Sequence, residues 1–173
     1  MLRTLKQITR VGIVTESMPV AAAALKDLTR LQKKIHAVFE RALAIRHVDA
    51  GSCNGCELEI LALNNPYYNL EGLGIRFVAS PRHADMLLVT GPVSRNMQEA
   101  LRQTYDAMPE PRWVVAVGAC GVDGGIFGCS YASAGGVDAV VPVDARVPGC
   151  PPQPEAILQG ILAALTHVNQ RSG

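Results

Sequence analysis

"RWVVAVGAC", residues 112–120, is a nearly continuous apolar run that ends on glycine and cysteine. A run of this length with three valines and a tryptophan reads as a strand buried on both faces, the habit of a parallel sheet covered by helices. The same signal recurs on either side of it. "AIRHVDA" (44–50), "GIRFVAS" (74–80) and "DMLLVTG" (85–91) read as strands before it, and "DAVVPVD" (138–144) as a fifth after it. Pro142 lacks a backbone donor, so it confines that fifth strand to an edge or a bulge.

Helix signals fill the intervals. One helix is expected over roughly 54–65, ended by Asn64, Asn65 and Pro66. A second is expected over 94–107, with Ser94 as N-cap and Pro109 beyond its end. A third is expected over 153–167, behind Pro151 and Pro152. Alternating short strands and helices predict an α/β fold with a mostly parallel sheet and flanking helices. Gly121–Gly136 holds six glycines with little periodicity and reads as a long loop, a feature more often functional than accidental.

Ahead of this alternation, Leu28, Leu31, Ile35, Val38, Phe39 and Ala42 recur at three- and four-residue steps between Asp27 and Ile45. They form one stripe of an N-terminal amphipathic helix that packs on the domain or docks on a partner. The expected division is an N-terminal helical extension over 1–43 and an α/β domain over 44–173.

The bulk numbers narrow the class. The chain has 173 residues, 49% of them hydrophobic and 18% charged, with net charge +1. That is one folded domain with a sizeable core, and its charge gives no support to a nucleic-acid partner. Charge near zero does little to oppose association, so a protein partner fits. No apolar run reaches the length of a membrane span. The N-terminal segment lacks the continuous hydrophobic region of a signal peptide, which points to the cytoplasm.

In a reducing compartment, five cysteines (53, 56, 120, 129 and 150) favour metal or redox chemistry over disulfides. Cys53 and Cys56 follow the first strand, Cys120 ends the fourth, and Cys150 follows the expected fifth. The C-terminal ends of parallel strands share one edge, so the fold itself gathers these four thiols. A dithiol of the thioredoxin kind uses only Cys53 and Cys56. A zinc site usually draws on two close pairs, whereas Cys120 and Cys150 are far apart in sequence. Burial as small apolar residues is the plain alternative for those two. A four-thiolate iron–sulfur cluster uses all four. It is favoured by Gly51, Gly55, Gly118, Gly121 and Gly149 beside the cysteines and by the proline after Cys150. Cys129 has no strand before it and is expected to be no ligand.

Four motifs, "HVDAGSCNGCELEI", "SPRHADMLLVTGPV", "VGACGVDGGIF" and "VPVDARVPGCPPQPEAILQGI", stand in order over residues 44–166. Together they resemble the small, cluster-bearing subunit of membrane-bound, energy-converting NiFe hydrogenases, formate hydrogenlyase included. That family is related to the 20 kDa subunit of complex I. The resemblance implies a flavodoxin-like fold and one 4Fe-4S cluster on Cys53, Cys56, Cys120 and Cys150. It implies an electron relay between a ferredoxin-type iron–sulfur subunit and a Ni–Fe large subunit, with no bond chemistry on this chain. It also implies attachment to the cytoplasmic face of the inner membrane through integral membrane subunits. Complex I subunits of this type resemble the same core but carry adjacent cysteines, so Cys-Asn-Gly-Cys points to the hydrogenase branch. A complex I-like subunit delivering electrons to quinone is the alternative.

Several other residues have two readings. Arg46, His47, Arg82 and His83 would place positive charge near an anionic cluster, or are solvated loop residues. Glu57 and Glu59 would join a proton path or a subunit contact, or simply favour the positive end of a helix. Tyr67 and Tyr68 would be interface anchors or turn packing.

Overall fold

The computed structural model describes residues 22–166. Five strands, β1 (Leu43–Asp49), β2 (Ile75–Phe77), β3 (Met86–Thr90), β4 (Trp113–Val117) and β5 (Ala145–Val147), form one sheet. Their order is β2-β1-β3-β4-β5, and every pairing is parallel. This is the flavodoxin-like order, in which strand order reverses between β1 and β3. Around the sheet lie α1 (Ala22–Phe39), α2 (Gly55–Ala62), α3 (Arg95–Asp106), α4 (Gly118–Asp123) and α5 (Pro154–Thr166).

Alternation along the central strands divides the core in two. Met86, Leu88, Trp113, Val115 and Val117 face a cluster shared with Leu31 and Ile35 of α1, Ile60 of α2, and Ile157 and Ile161 of α5. Leu87, Val89, Val114 and Ala116 face the other cluster, which Leu101 of α3 and Val137 complete. Two-sided burial is why β3 and β4 read as continuous apolar runs. Ser94 caps α3 as expected, its hydroxyl accepting from the Met97 N–H at 3.3 Å.

Two expectations need correction. The stripe that begins at Asp27 stops being helical at Phe39. Glu40 takes a positive φ of 53°, and Leu43–Ile45 already belongs to β1. Leu31 and Ile35 are buried, so the helix packs on the domain; the side chains of Leu28 and Val38 and all of residues 1–21 lie outside the described residues. The fifth strand is Ala145–Val147 rather than 138–144. Val137–Ala139 is instead a 3-10 turn. Val137 and Val141 are buried but Ala139 between them is exposed, which breaks the alternation of a pleated strand and suits a turn. Asp144 starts the ladder, accepting from the Val114 N–H through its carboxylate at 2.8 Å.

Asp85, just before β3, fixes the start of the sheet. Its carboxylate accepts from Arg41 Nη1 at 2.9 Å, Arg41 Nη2 at 2.6 Å and the buried Ala44 N–H at 2.9 Å. Arg41 is half exposed, so the ion pair is screened and contributes little beyond 1 kcal/mol. The stranded backbone donor costs more. Asp85→Ala is expected to lower stability by about 2–3 kcal/mol, read as a lower urea midpoint with an unchanged m-value. An unchanged midpoint would show that this carboxylate anchors nothing.

Candidate metal centre

Three segments leave the C-terminal edge of the sheet carrying cysteines. After β1, the Asp49 carboxylate accepts from the backbone N–H groups of Gly51 and Ser52, both at 2.8 Å, and Ser52 Oγ accepts from the Asn54 N–H at 3.1 Å. Burial pushes the Asp49 carboxyl up, but the hydrogen bonds from Ser52 and Gly51 outweigh it and hold it below its ordinary value. Asn54 takes a left-handed φ of 70°, which asparagine tolerates, and α2 starts immediately after it with Cys56 in its first turn. Gly91, at the end of β3, lets this loop pass: a Cβ there would lie 2.4 Å from the Ser52 nitrogen.

After β4, the chain turns at Gly118 (φ 82°) into α4, which carries Cys120. A Cβ on Gly118 would lie 2.6 Å from Cys56 Sγ, and one on Gly125 would lie 3.0 Å from Cys120 Sγ. After β5, Gly149 turns the chain at φ 134° toward Cys150, and its carbonyl accepts from the Ala119 N–H at 2.7 Å. That bond ties the Cys120 and Cys150 segments together.

Cys53, Cys56, Cys120 and Cys150 line one small cavity, with Gly55, Gly91 and Gly149 in its walls. All are free thiols. Burial pushes Cys56 up to about 11, and Glu57 and the other three cysteines add to it. Burial also raises Cys120, with Cys150 and Cys53 adding. Thiols that shift one another in this way share one electrostatic site, and a bound metal would supply the positive charge that makes them thiolates. Among the described residues, no three His, Cys, Asp or Glu side chains group closely enough to hold a single metal ion. A tetrahedral zinc needs its sulfurs within about 4 Å of one another. Four thiols lie around a space that Cβ atoms would intrude on, a donor set that suits a thiolate-held metal centre.

The structure separates the remaining sequence candidates. Cys129 is exposed and sits in a small hairpin, bridged to Ala134, outside the cavity lining. Arg82 and His83 are exposed in the turn before β3, at the edge of the sheet opposite the cysteines. Tyr68 donates to the Glu155 carboxylate at 2.8 Å, while Tyr67 stacks edge-on against it and is exposed. His47 Nε2 lies 3.0 Å from Thr90 Oγ1 and 3.8 Å from a Glu57 oxygen. The steric role of Gly91 and the hydrogen-bonding role of Asp49 carry no assignment from the sequence reading, although "DAGS" is an Asx-turn signature that points to Asp49.

Burial lowers the His47 pKa from its ordinary 6.5, and Glu57 and Asp49 only partly offset it. The unfolded chain therefore takes this proton first as pH falls. The stability His47 permits is full above about pH 6.5 and declines below it. His47→Gln is expected to flatten that decline in urea midpoints of the metal-free chain between pH 7.5 and 5.5. An unaltered slope would assign the acid sensitivity to other groups.

Comparison with known proteins gives a consistent answer. Residues 53–164 match the family described as NADH ubiquinone oxidoreductase, 20 Kd subunit, and all four cavity cysteines fall within that span. The chain is 46% identical over 139 residues to a probable membrane-bound hydrogenase subunit of Pyrococcus furiosus, covering 79% of this chain and 83% of the relative. It is 40% identical over 154 residues to formate hydrogenlyase subunit 7 of Escherichia coli, covering 89% of this chain but only 60% of that longer protein. An NADH-quinone oxidoreductase subunit of Desulfovibrio desulfuricans is 48% identical over 115 residues, covering 66% of this chain and 62% of that one. Among solved structures, a chain of the membrane-bound sulfane sulfur reductase, an archaeal respiratory membrane complex, superposes with TM-score 0.65 at 31% identity, covering 84% of this chain and 76% of that one. The match starts on Cys53 and runs through the whole cysteine-bearing edge, and on that ground the chain belongs to the NADH ubiquinone oxidoreductase 20 Kd subunit family.

Proposed function

We propose that the chain is the electron-transfer small subunit of a membrane-associated NiFe hydrogenase complex of the formate hydrogenlyase type. Cys53, Cys56, Cys120 and Cys150 would hold one 4Fe-4S cluster. The observation that carries this reading is the single cavity lined by four thiols from three separate strand ends, with glycine wherever a Cβ would crowd a sulfur. Such a cluster supplies reversible one-electron storage. The chain supplies position and surroundings. The Asp49 turn fixes Cys53, the Ala119–Gly149 bond fixes Cys120 against Cys150, and Cys56 is half-buried.

Two kinds of partner suit this role, a ferredoxin-type iron–sulfur subunit on one side and a Ni–Fe large subunit on the other. Ile126, next to the Gly125 that adjoins Cys120, and Tyr131 are 95% and 98% exposed, and Leu58 and Leu61 are exposed on α2. Apolar surface of this kind favours a chain that is covered by partners. Among the described residues no helix is long and apolar enough to cross a membrane. On this reading attachment to the cytoplasmic face runs through integral membrane subunits.

A complex I-like role, delivering electrons to quinone, is the second reading. The 48% identity to an NADH-quinone oxidoreductase subunit supports it. The spacing of Cys53 and Cys56 favours the hydrogenase side. Purification of the intact complex separates the two. Hydrogenase function requires a large subunit with two C-x-x-C pairs and hydrogen-dependent dye reduction. A large subunit without those pairs, in a complex that reduces quinone, would overturn the first reading.

A further inference from the structure

The backbone that lies against Cys120 is a pair of glycines, and one carboxylate bonds to it. Gly124 and Gly125 follow α4 with φ of 91° and 53°. Glycine reaches this region without a steric penalty, but it has the most freedom to lose on folding, so a Gly-Gly turn needs an anchor. The side chains that follow supply none, since Ile126 and Phe127 both point into solvent. The Gly124 N–H donates to the Cys120 carbonyl at 2.9 Å. The Gly125 N–H donates to Asp123 Oδ1 at 2.8 Å, a bond that the acceptor's charge strengthens. What that bond holds is the covering of a cysteine. A Cβ built on Gly125 would have Cys120 Sγ at 3.0 Å, the Cys120 nitrogen at 3.2 Å and its Cα at 3.3 Å as its three nearest atoms. Cys120 is half-buried accordingly, while Asp123 itself is exposed. Burial raises the Cys120 thiol, Cys150 and Cys53 add to it, and Asp123 adds after them, so the carboxylate is within electrostatic reach of the sulfur.

We propose that Asp123 is the positioning residue for Cys120: its carboxylate holds the Gly124–Gly125 turn against the sulfur, which keeps the thiol in the cavity and covered from solvent. The role belongs to the hydrogen bond rather than to the charge. Asparagine offers the same acceptor oxygen without a charge, and alanine offers none. In calling Cys120 a metal ligand, the proposal rests on the reading of the cavity as a cluster site.

Asp123→Ala and Asp123→Asn separate the bond from the charge. In the full chain freed of metal, iodoacetamide labelling of each cysteine is followed by peptide mass spectrometry, with the exposed Cys53 as internal reference. Alkylation tracks access and thiolate fraction together, so Cys120 in Asp123→Ala is expected to react about fivefold faster or more, with Cys53 unchanged. Asp123→Asn should stay within about twofold of the wild type at Cys120, because the turn is kept. In the purified complex, iron release to an added chelator should follow the same order, fast in Asp123→Ala and near wild type in Asp123→Asn. A wild-type Cys120 rate in Asp123→Ala would overturn the proposal. Equal acceleration in both variants would assign the effect to the charge and overturn the hydrogen bond, and a rise shared by Cys53 would show general loosening and overturn it as well. Absence of iron from the wild-type complex would sink the cluster reading, while the labelling of Cys120 would still decide the role of Asp123.

Discussion

Serine in place of Cys53, Cys56, Cys120 or Cys150 is expected to remove most of the iron from the anaerobically purified protein, while Cys129→Ser retains it all. The four come from three strand ends and line one cavity, and Cys129 lies outside it in an exposed hairpin. An alcohol is a far poorer ligand than a thiolate, so one exchange leaves the site a ligand short. Iron per chain should fall from about four to near zero in each of the four variants, with loss of the broad visible absorbance. On the relay reading, electron transfer through the complex should fall with it. Equal iron loss in Cys129→Ser would dissolve the four-plus-one division.

Gly118→Ala is expected to cost the same iron by a steric route. Gly118 sits at φ 82°, where alanine is strained by about 1–2 kcal/mol. Its Cβ would lie 2.6 Å from Cys56 Sγ, so the sulfur must leave its place in the cavity. Gly128→Ala is the control for backbone strain without a clash. It carries a positive φ of 53° but has nothing within 4 Å of a Cβ. Gly128→Ala should lose stability through its backbone, since φ 53° with ψ −155° is a conformation essentially confined to glycine, and Gly118→Ala alone should lose most of its iron. Full iron in Gly118→Ala would show that Cys56 has room to move and that the glycine serves only the turn.

Much of this arrangement was legible in the sequence, for reasons that differ from element to element. β3 and β4 announce themselves because both faces are buried, so every residue from Met86 to Thr90 and from Trp113 to Val117 is shielded. The gathering of four cysteines followed from one geometric rule, that parallel strands end on the same edge. β5 was misplaced because Val137, Val140 and Val141 mimic a strand in composition, whereas their burial follows a turn. The closeness of His47 to Glu57 was not legible. It depends on how α2 folds back over β1, a contact between residues whose local patterns say nothing of each other. The same holds for Gly91, whose role is set by a loop forty residues earlier in the chain crossing the end of β3.

The occupant proposed for the cavity is a four-iron cluster. Iron, acid-labile sulfide and zinc, measured on the anaerobically purified complex and on the reconstituted chain together with low-temperature EPR after reduction, test it most directly. The expected result is about four irons and four sulfides per cavity, little zinc, and a reduced-state signal that disappears in Cys120→Ser. About one zinc per chain, without visible absorbance or signal, would contradict it.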